Sequence, residues 1–225
     1  MDRTRRLTDL YARMLRALGP QHWWPGKTPF EIMVGAVLTQ NTAWRNVEQA
    51  ILNLKRARRL SPRGILSLTD ARLARLIRPS GYFNVKAGRL KSLVRWYVDA
   101  CGGQIRVLRS RPLERVRAEL LAVRGVGPET ADSILLYAAG RPTFVVDAYT
   151  RRVLARLGFL SSPRLPYETV RAFFMEALPR DAALYNEFHA LFVALGKDFC
   201  RPRPRCDECP LDALCRWERR TVPAG

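Results

Sequence analysis

One acidic residue and one glycine-rich turn carry the clearest chemical signal in this sequence. Gly125-Val126-Gly127 allows a sharp turn whose backbone N–H groups point outward, and Pro128 then opens a helix. A helix that begins in this way offers its N-terminus to anions such as phosphate. Asp147 follows twenty residues later, alone in a long apolar and basic stretch. A carboxylate beside a phosphate-binding turn indicates chemistry on a nucleic acid.

Asp147 has two possible roles, and they are compatible. Its carboxylate could stabilise positive charge that develops on a bound substrate, and it could orient or deprotonate an attacking water. Alternatively, the side chain only caps the helix that begins at Ala148.

Four cysteines fall within sixteen residues near the C-terminal end: Cys200, Cys206, Cys209 and Cys215. Because no secretory signal is visible, this spacing favours a metal or cluster site over disulfides. Structural zinc usually takes two closely spaced cysteine pairs, whereas here one C-x2-C lies between two single cysteines. Iron–sulfur ligation by four thiolates fits better, with zinc as the alternative.

The composition favours a polyanionic partner. The chain has 39 Lys and Arg against 20 Asp and Glu, a net charge of +19, and 34 of the cations are Arg. Arginine supplies the planar fork that suits phosphate, although a solvated basic surface is the alternative. Between the first two clustered cysteines, Arg201, Arg203 and Arg205 alternate with prolines. This basic loop, 201–205, either holds its arginines rigidly for contact with phosphates or is only a solvated connector.

The apolar periodicity predicts an all-α protein. Helices are expected from Leu7 to Leu18, from Thr28 to a break near Gln40, and in most of the segments that follow. Only 143–146 has a β-like run, too isolated to build a sheet. No signal peptide or bilayer-length apolar run is visible, so we expect a cytoplasmic, nucleoid-associated protein.

Taken together, these motifs resemble the helix-hairpin-helix (HhH-GPD) DNA glycosylases of the endonuclease III superfamily. Val123–Gly127 stands in place of the usual Leu-Pro-Gly-Val-Gly hairpin, and Asp147 falls at the catalytic aspartate. The cysteines resemble the family's 4Fe-4S signature, except that the first gap is five residues rather than six. The resemblance extends from about Thr28 to Cys215.

This resemblance implies a fold, a cofactor and a partner. We expect a six-helix domain with the hairpin over 28–140, and a second helical domain, formed by 1–27 and 141–225, that holds a 4Fe-4S cluster. A cleft between the two lobes would hold the hairpin, Asp147 and the base. The expected partner is damaged double-stranded DNA, bound by a monomer.

The resemblance also assigns site residues. Gln40 matches the glutamine that enters the gap left by a flipped nucleotide, and Tyr82 occupies the place of a second wedge. Gln40 could instead be a surface residue or a helix cap, and Tyr82 could instead pack in the core. Further DNA contacts are predicted at Arg124, Gly125, Val126, Gly127, Thr130 and the three arginines of the basic loop. The base pocket is predicted at Trp23, Trp24, Pro25 and Glu129, although the two tryptophans could equally pack in the core.

Position 129 decides the reaction class. Bifunctional members carry a lysine two residues after the last hairpin glycine, and its amine attacks the sugar C1′. Glu129 stands there and cannot form that imine, so we expect a glycosylase without efficient lyase activity.

The substrate class is suggested by three further features. The chain resembles the 3-methyladenine-excising branch in the Leu-Thr-Gln-Asn-Thr sequence at 38–42, in the Trp-Trp-Pro loop, and in the absence of a lysine at position 129. In that branch an aromatic pocket selects a cationic purine. Ala36 stands where adenine glycosylases carry a glutamate. An endonuclease III-like oxidised-pyrimidine glycosylase with abasic-site lyase activity and a catalytically silent DNA-binding protein are the alternatives.

Overall fold

The computed structural model describes residues 2–215 and 217. All regular secondary structure among those residues is helical, which confirms the all-α prediction. A π-helical turn at Ile134–Ala138 continues α9, and short 3-10 turns lie at Arg78–Ser80 and Asp212–Leu214. The α-helices are α1 (Arg3–Leu18), α2 (Pro29–Leu38), α3 (Trp44–Arg56), α4 (Pro62–Leu66), α5 (Asp70–Leu76), α6 (Phe83–Cys101), α7 (Ile105–Ser110), α8 (Leu113–Ala122), α9 (Pro128–Ser133), α10 (Ala148–Arg156), α11 (Tyr167–Met175) and α12 (Ala182–Asp198).

The chain divides into two compact units. One is Trp24–Arg141, and the other combines Met1–Trp23 with Pro142–Gly225. These limits are close to the predicted ones at 28 and 140. That each unit is a domain with its own function stays a prediction. Residues 216 and 218–225 of the predicted second domain lie outside the described residues.

The unit Trp24–Arg141 is built around α2. Thr28 caps this helix by accepting a hydrogen bond from Glu31 N at 3.2 Å, and Pro29 occupies its first turn, as the sequence predicts. From Glu31 to Leu38 every residue of α2 is buried. A helix that is apolar all round must be enclosed, and α2 contacts α3, α6, α9 and the π-helical turn. This enclosed central helix ends at Leu38, two residues before Gln40.

The second unit is built around α12, which packs against α1 and α10. Its core is aromatic: Phe144 and Phe174 stack with centroids 3.6 Å apart, and Phe188 stacks on Phe192 at 5.0 Å. The β-like run at 143–146 is buried here and forms no strand. This apolar connector leads directly into Asp147, so burial of the connector fixes the position of that carboxylate.

Among the described residues, no helix combines the length and the apolar character needed to cross a membrane.

Candidate active site

Asp147 is the N-cap of α10. Its Oδ1 accepts a hydrogen bond from the backbone N–H of Thr150 at 2.7 Å, which confirms the capping role predicted for it. The side chain is only 14% exposed. Oδ1 therefore caps the helix, and Oδ2 remains available to another partner.

That partner is His189, a residue to which the sequence assigns no role. His189 lies on α12, is buried, and places Nε2 3.6 Å from Asp147 Oδ2. This distance suits an ion pair better than a hydrogen bond. Burial pushes the pKa of Asp147 upward, but the charge of His189 and the bonds from Thr150 outweigh it and hold that pKa below its ordinary value. Asp147 is therefore a mostly enclosed carboxylate that is kept in its ionised form.

His189 could not be found by sequence reasoning because its surroundings are apolar and ordinary. It lies within α12, 42 positions from Asp147 in the sequence, and only the packing of α10 on α12 brings the two residues together. The one available signal is scarcity, since the chain has only two histidines.

The glycine hairpin depends on one of its glycines for backbone shape. Gly125 has φ of 87°, in the left-handed region, and a Cβ there would lie 2.2 Å from Arg89 Cγ. Gly127 has φ of −93° and open space where a side chain would project. Both glycines were expected to shape the turn, and only Gly125 does so. Gly127 instead leaves the approach to the first turn of α9 unobstructed.

A buried ion pair fastens the two helices that flank the hairpin. Arg117 on α8 donates Nε to Asp132 Oδ1 at 2.8 Å and Nη2 to Oδ2 at 3.0 Å. Both side chains are almost completely buried. A bidentate geometry of this kind restricts both the distance and the rotation between α8 and α9.

Gln40 is bound to the hairpin itself. Its Nε2 donates to Gly125 O at 3.1 Å and to Thr130 Oγ1 at 3.0 Å. Its Oε1 accepts a hydrogen bond from Arg89 Nη1 at 2.7 Å. Both ends of the amide are thus engaged, so entry into a DNA gap would require these bonds to break. The wedge role of Gln40 stays a prediction, and a role in holding the hairpin is added to it.

Tyr82 is 72% exposed, so the alternative that it packs in the core is wrong. It immediately precedes α6 with φ of 45° and ψ of 32°, a left-handed conformation that is unusual for a bulky side chain. Exposed aromatic rings on strained backbone are common at binding sites. Its predicted role as a wedge agrees with this exposure but is not tested by it.

The predicted base-pocket residues fall into different surroundings. Trp24 packs against Trp44 and Tyr137, with ring centroids 5.2 and 5.0 Å away. Trp23 belongs to the other unit, where Lys197 Nζ lies 5.6 Å from its ring centroid. Pro25 is exposed beside Trp24, and Glu129 is exposed in the first turn of α9. The core-packing interpretation therefore holds for Trp24, because its ring lies in an aromatic cluster.

Comparisons with known proteins identify the family. Residues 34–180 match the model of the HhH-GPD superfamily of base excision DNA repair proteins. A Methanocaldococcus jannaschii protein assigned to the DNA repair glycosylases is 45% identical over 92% of this chain and 94% of its own length. This chain belongs to the HhH-GPD superfamily.

Two solved structures of this superfamily share the fold. The H. pylori 3-methyladenine DNA glycosylase bound to 1,N6-ethenoadenine has a TM-score of 0.73 and 30% identity, and the match covers 88% of this chain and 98% of that one. A non-covalent endonuclease III–DNA complex has a TM-score of 0.81 and 25% identity, over 96% of each chain. The predicted family and helical architecture are confirmed, and the chain is a DNA repair glycosylase of the HhH-GPD type.

The cysteine segment of this HhH-GPD chain is anchored to α10. Arg152 donates to the carbonyls of Gly196 and Cys200, at 3.0 and 2.7 Å. Arg156 places Nη1 3.4 Å from Cys200 Sγ and also donates to the carbonyls of Arg201 and Pro202. Arg156 thus places a positive charge beside the Cys200 sulfur atom. The helix capped by Asp147 therefore also holds the start of the cysteine segment.

The four thiols influence one another electrostatically. Burial raises the pKa of Cys209, and the charges of Cys200, Cys215 and Cys206 raise it further. Nevertheless, no three His, Cys, Asp or Glu side chains in the described part of the chain form a group that could hold a metal ion. The donor atoms thus match a four-thiolate cluster in kind, although they are not gathered as ligands. Cys101 is buried in the other unit.

The basic loop is open to solvent. Arg201, Arg203 and Arg205 are all exposed. Within the described part of the chain, only Arg205 of the three lies near a carboxylate, 3.8 Å from Glu208. Arg124, next to the hairpin, is exposed as well. Arg201 also donates Nε to Lys197 O at 2.6 Å. The DNA contacts of these exposed guanidinium groups stay a prediction.

Proposed function

We propose that this HhH-GPD protein is a monofunctional glycosylase that flips a damaged base out of duplex DNA and hydrolyses its N-glycosidic bond. The observation that carries the proposal is the buried, ionised carboxylate of Asp147, in a chain with glutamate at position 129. Position 129 separates the reaction classes, because the lyase reaction needs an amine that Glu129 does not offer, while the carboxylate of Asp147 serves hydrolysis.

Asp147 acts on the sugar. As the bond between C1′ and the base nitrogen breaks, its electron pair leaves with the base and positive charge develops on the deoxyribose ring. The carboxylate stabilises that charge and orients a water, whose oxygen bonds to C1′ while its proton passes to the carboxylate. His189 does not touch the substrate in this scheme. It is a positioning residue that keeps Asp147 ionised.

The hairpin holds the DNA backbone. The N–H groups of Gly125 and Gly127 and the N-terminus of α9 bind a phosphate, whereas the N–H of Val126 donates to Val123 O at 3.0 Å inside the hairpin. The exposed Tyr82 fills space beside the extruded nucleotide. Gln40 either keeps the hairpin in shape or moves into the duplex. Asp147 and the hairpin belong to different units of the chain, so their joint action on one nucleotide is part of the proposal.

No lysine of the chain is well suited to replace the missing amine. Lys86 is the strongest candidate by acidity, since burial and the charge of Arg89 lower its pKa to about 8. However, Lys86 is 1% exposed and donates to the carbonyls of Leu38 and Ser80, at 2.9 and 2.6 Å. Lys55 and Lys91 are paired with carboxylates. Lys197 lies over Trp23, and Lys27 is exposed in the segment before α2.

An alkylated purine is the proposed substrate class. The H. pylori relative is named for 3-methyladenine, and its whole chain is nearly covered by the match. A cationic purine already has a weakened glycosidic bond, so a carboxylate and an aromatic surface suffice without an elaborate acid. The second candidate is an endonuclease III-like activity on oxidised pyrimidines, favoured by the higher TM-score of the endonuclease III complex.

We also propose that Cys200, Cys206, Cys209 and Cys215 hold a 4Fe-4S cluster. Four thiolates are the ligand set that such clusters take, and the neighbouring Arg156 offsets their negative charge. When bound, the cluster would supply a cross-link that fixes the fold of the basic loop.

The enzymatic proposal is tested with duplexes that each carry one lesion, assayed with and without alkali. Alkali-sensitive sites should appear at an alkylated purine, while borohydride should trap little covalent enzyme–DNA complex. Asp147→Asn should reduce base release by about a thousandfold or more and leave DNA affinity equal or higher, because a negative charge near phosphate is removed.

Asp181→Asn is the matched control. Asp181 caps α12 through Ala183 N and Leu184 N, just as Asp147 caps α10, and asparagine retains capping ability. Loss of activity in both variants would indicate a structural effect of capping. Efficient trapping of the unaltered protein would contradict the monofunctional proposal, and full activity of Asp147→Asn would contradict the catalytic role.

A further inference from the structure

An arginine-lined pocket lies in the unit Trp24–Arg141. Its volume is about 350 Å³, and it is formed between the turn after α3 and the helix α5. Three arginines and three apolar residues line it: Ala57, Arg59, Leu68, Arg72, Arg75 and Leu76. The mechanism proposed above uses none of these residues.

Among the residues that the structure describes, the cations of this pocket have no acidic partner. Arg59, Arg72 and Arg75 are exposed, and within the described ranges none of them lies within ion-pairing distance of a carboxylate. Arg59 Nη1 instead lies 3.4 Å from Ser67 Oγ. The segment 55–78 holds eight Lys and Arg but only one acid, Asp70, and that acid is bound to Lys91 at 2.5 Å. The pocket therefore presents uncompensated positive charge.

The floor of the pocket is apolar. Leu68 is buried and Leu76 is half-buried, so a ligand side chain that covers them would remove apolar surface from water. On α5, Arg72 and Arg75 are three residues apart and therefore neighbours on one helix face. The whole arrangement is an apolar centre with a cationic rim.

This combination suits a peptide better than a nucleic acid. A phosphodiester backbone gains nothing from a leucine floor, and the pocket lining contains no aromatic ring on which a base would stack. A leucine flanked by aspartates or glutamates matches both parts, because its carboxylates can accept paired hydrogen bonds from the guanidinium groups.

We propose that this pocket docks an acidic peptide segment of a partner protein, with one apolar side chain on Leu68 and Leu76 and carboxylates on Arg59, Arg72 and Arg75. The site is an interaction surface, and base release does not depend on it. Docking of this kind would bring a second protein to the lesion without occupying the hairpin.

The test uses fluorescence anisotropy with a labelled peptide of aspartates and glutamates around one central leucine. We expect saturable binding to the full-length protein, weakened about tenfold by Arg72→Glu with Arg75→Glu. Replacing the central leucine by alanine should weaken binding several-fold. If the double charge reversal unfolds the protein, Arg72→Gln with Arg75→Gln serves instead.

Arg13→Glu with Arg16→Glu is the matched control. These arginines are also exposed, three residues apart on α1, and have no ion-pair partner among the described residues. Equal loss of peptide affinity in both double variants would show attraction to net charge only and would overturn the proposal. Absence of peptide binding, or loss of duplex affinity and base release specific to Arg72 and Arg75, would overturn it in favour of a nucleic-acid surface.

Discussion

The carboxylate of Asp147 has one observed role, the capping of α10, and one proposed role, catalysis. Asp147 is 14% exposed, and a carboxyl group so buried ordinarily becomes neutral. Here the amide of Thr150 occupies one oxygen and His189 faces the other, so the charged form persists. Capping and catalysis are compatible because they use different oxygens of the same group.

The pH dependence of base release should reveal His189. Activity requires ionised Asp147, so it is lost as pH falls through the pKa of that group, which lies below its ordinary value. His189→Gln removes the favourable charge and should raise that pKa, shifting the acidic limb of the log kcat profile to higher pH. The stability that Asp147 contributes is likewise present above its unfolded pKa and is lost as pH falls through its folded pKa.

The control is His22→Gln, because His22 is exposed and is the only other histidine. Its acidic limb should not move. An unshifted limb in His189→Gln, with activity merely lower at every pH, would assign His189 a packing role only.

At the scale of single elements, local sequence rules predict helix starts well and contacts poorly. Thr28, Pro128 and Asp147 begin helices where capping rules place them. In contrast, Gln40 meets Thr130 across 90 positions, and its bond to the hairpin has no local signature. Which of two glycines takes positive φ also depends on packing against Arg89, so periodicity and turn rules could not decide it.

The two hairpin glycines should respond differently to substitution. Gly125→Ala places a Cβ in the left-handed region and against Arg89, so the free energy of unfolding should fall by about 1–3 kcal/mol. Gly127→Val keeps an ordinary backbone conformation and should cost less than about 1 kcal/mol. Its bulk should nevertheless weaken DNA binding, because it projects where a phosphate approaches α9.

Urea unfolding and duplex affinity, measured on both variants, separate these effects. Equal stability losses, or tight DNA binding by Gly127→Val, would show that the hairpin does not bind phosphate in the proposed way.

For the molecule as a whole, composition predicts a polyanionic partner and the family resemblance predicts DNA repair, but the state of the cysteines requires an experiment. Protein purified without oxygen should be yellow-brown, with about four irons per chain. Cys206→Ser should lose the iron and lower solubility, because ligand binding and folding are coupled.

Cys101→Ser provides the comparison, since Cys101 is buried in the other unit, away from the four clustered cysteines. It should retain the full iron content. A colourless protein with one zinc, or equal iron in both variants, would contradict the cluster assignment.

The anchoring of the cysteine segment by α10 has an evolutionary consequence. Arg152 and Arg156 bind carbonyls of Gly196, Cys200, Arg201 and Pro202, all of which precede residue 203. Residues 203 and 204 lie between these anchors and the bond from Arg205 N to Phe199 O, so we expect insertions or deletions there to leave the helix that starts at Asp147 undisturbed. The length of the basic loop could then differ between lineages while the carboxylate stays in place.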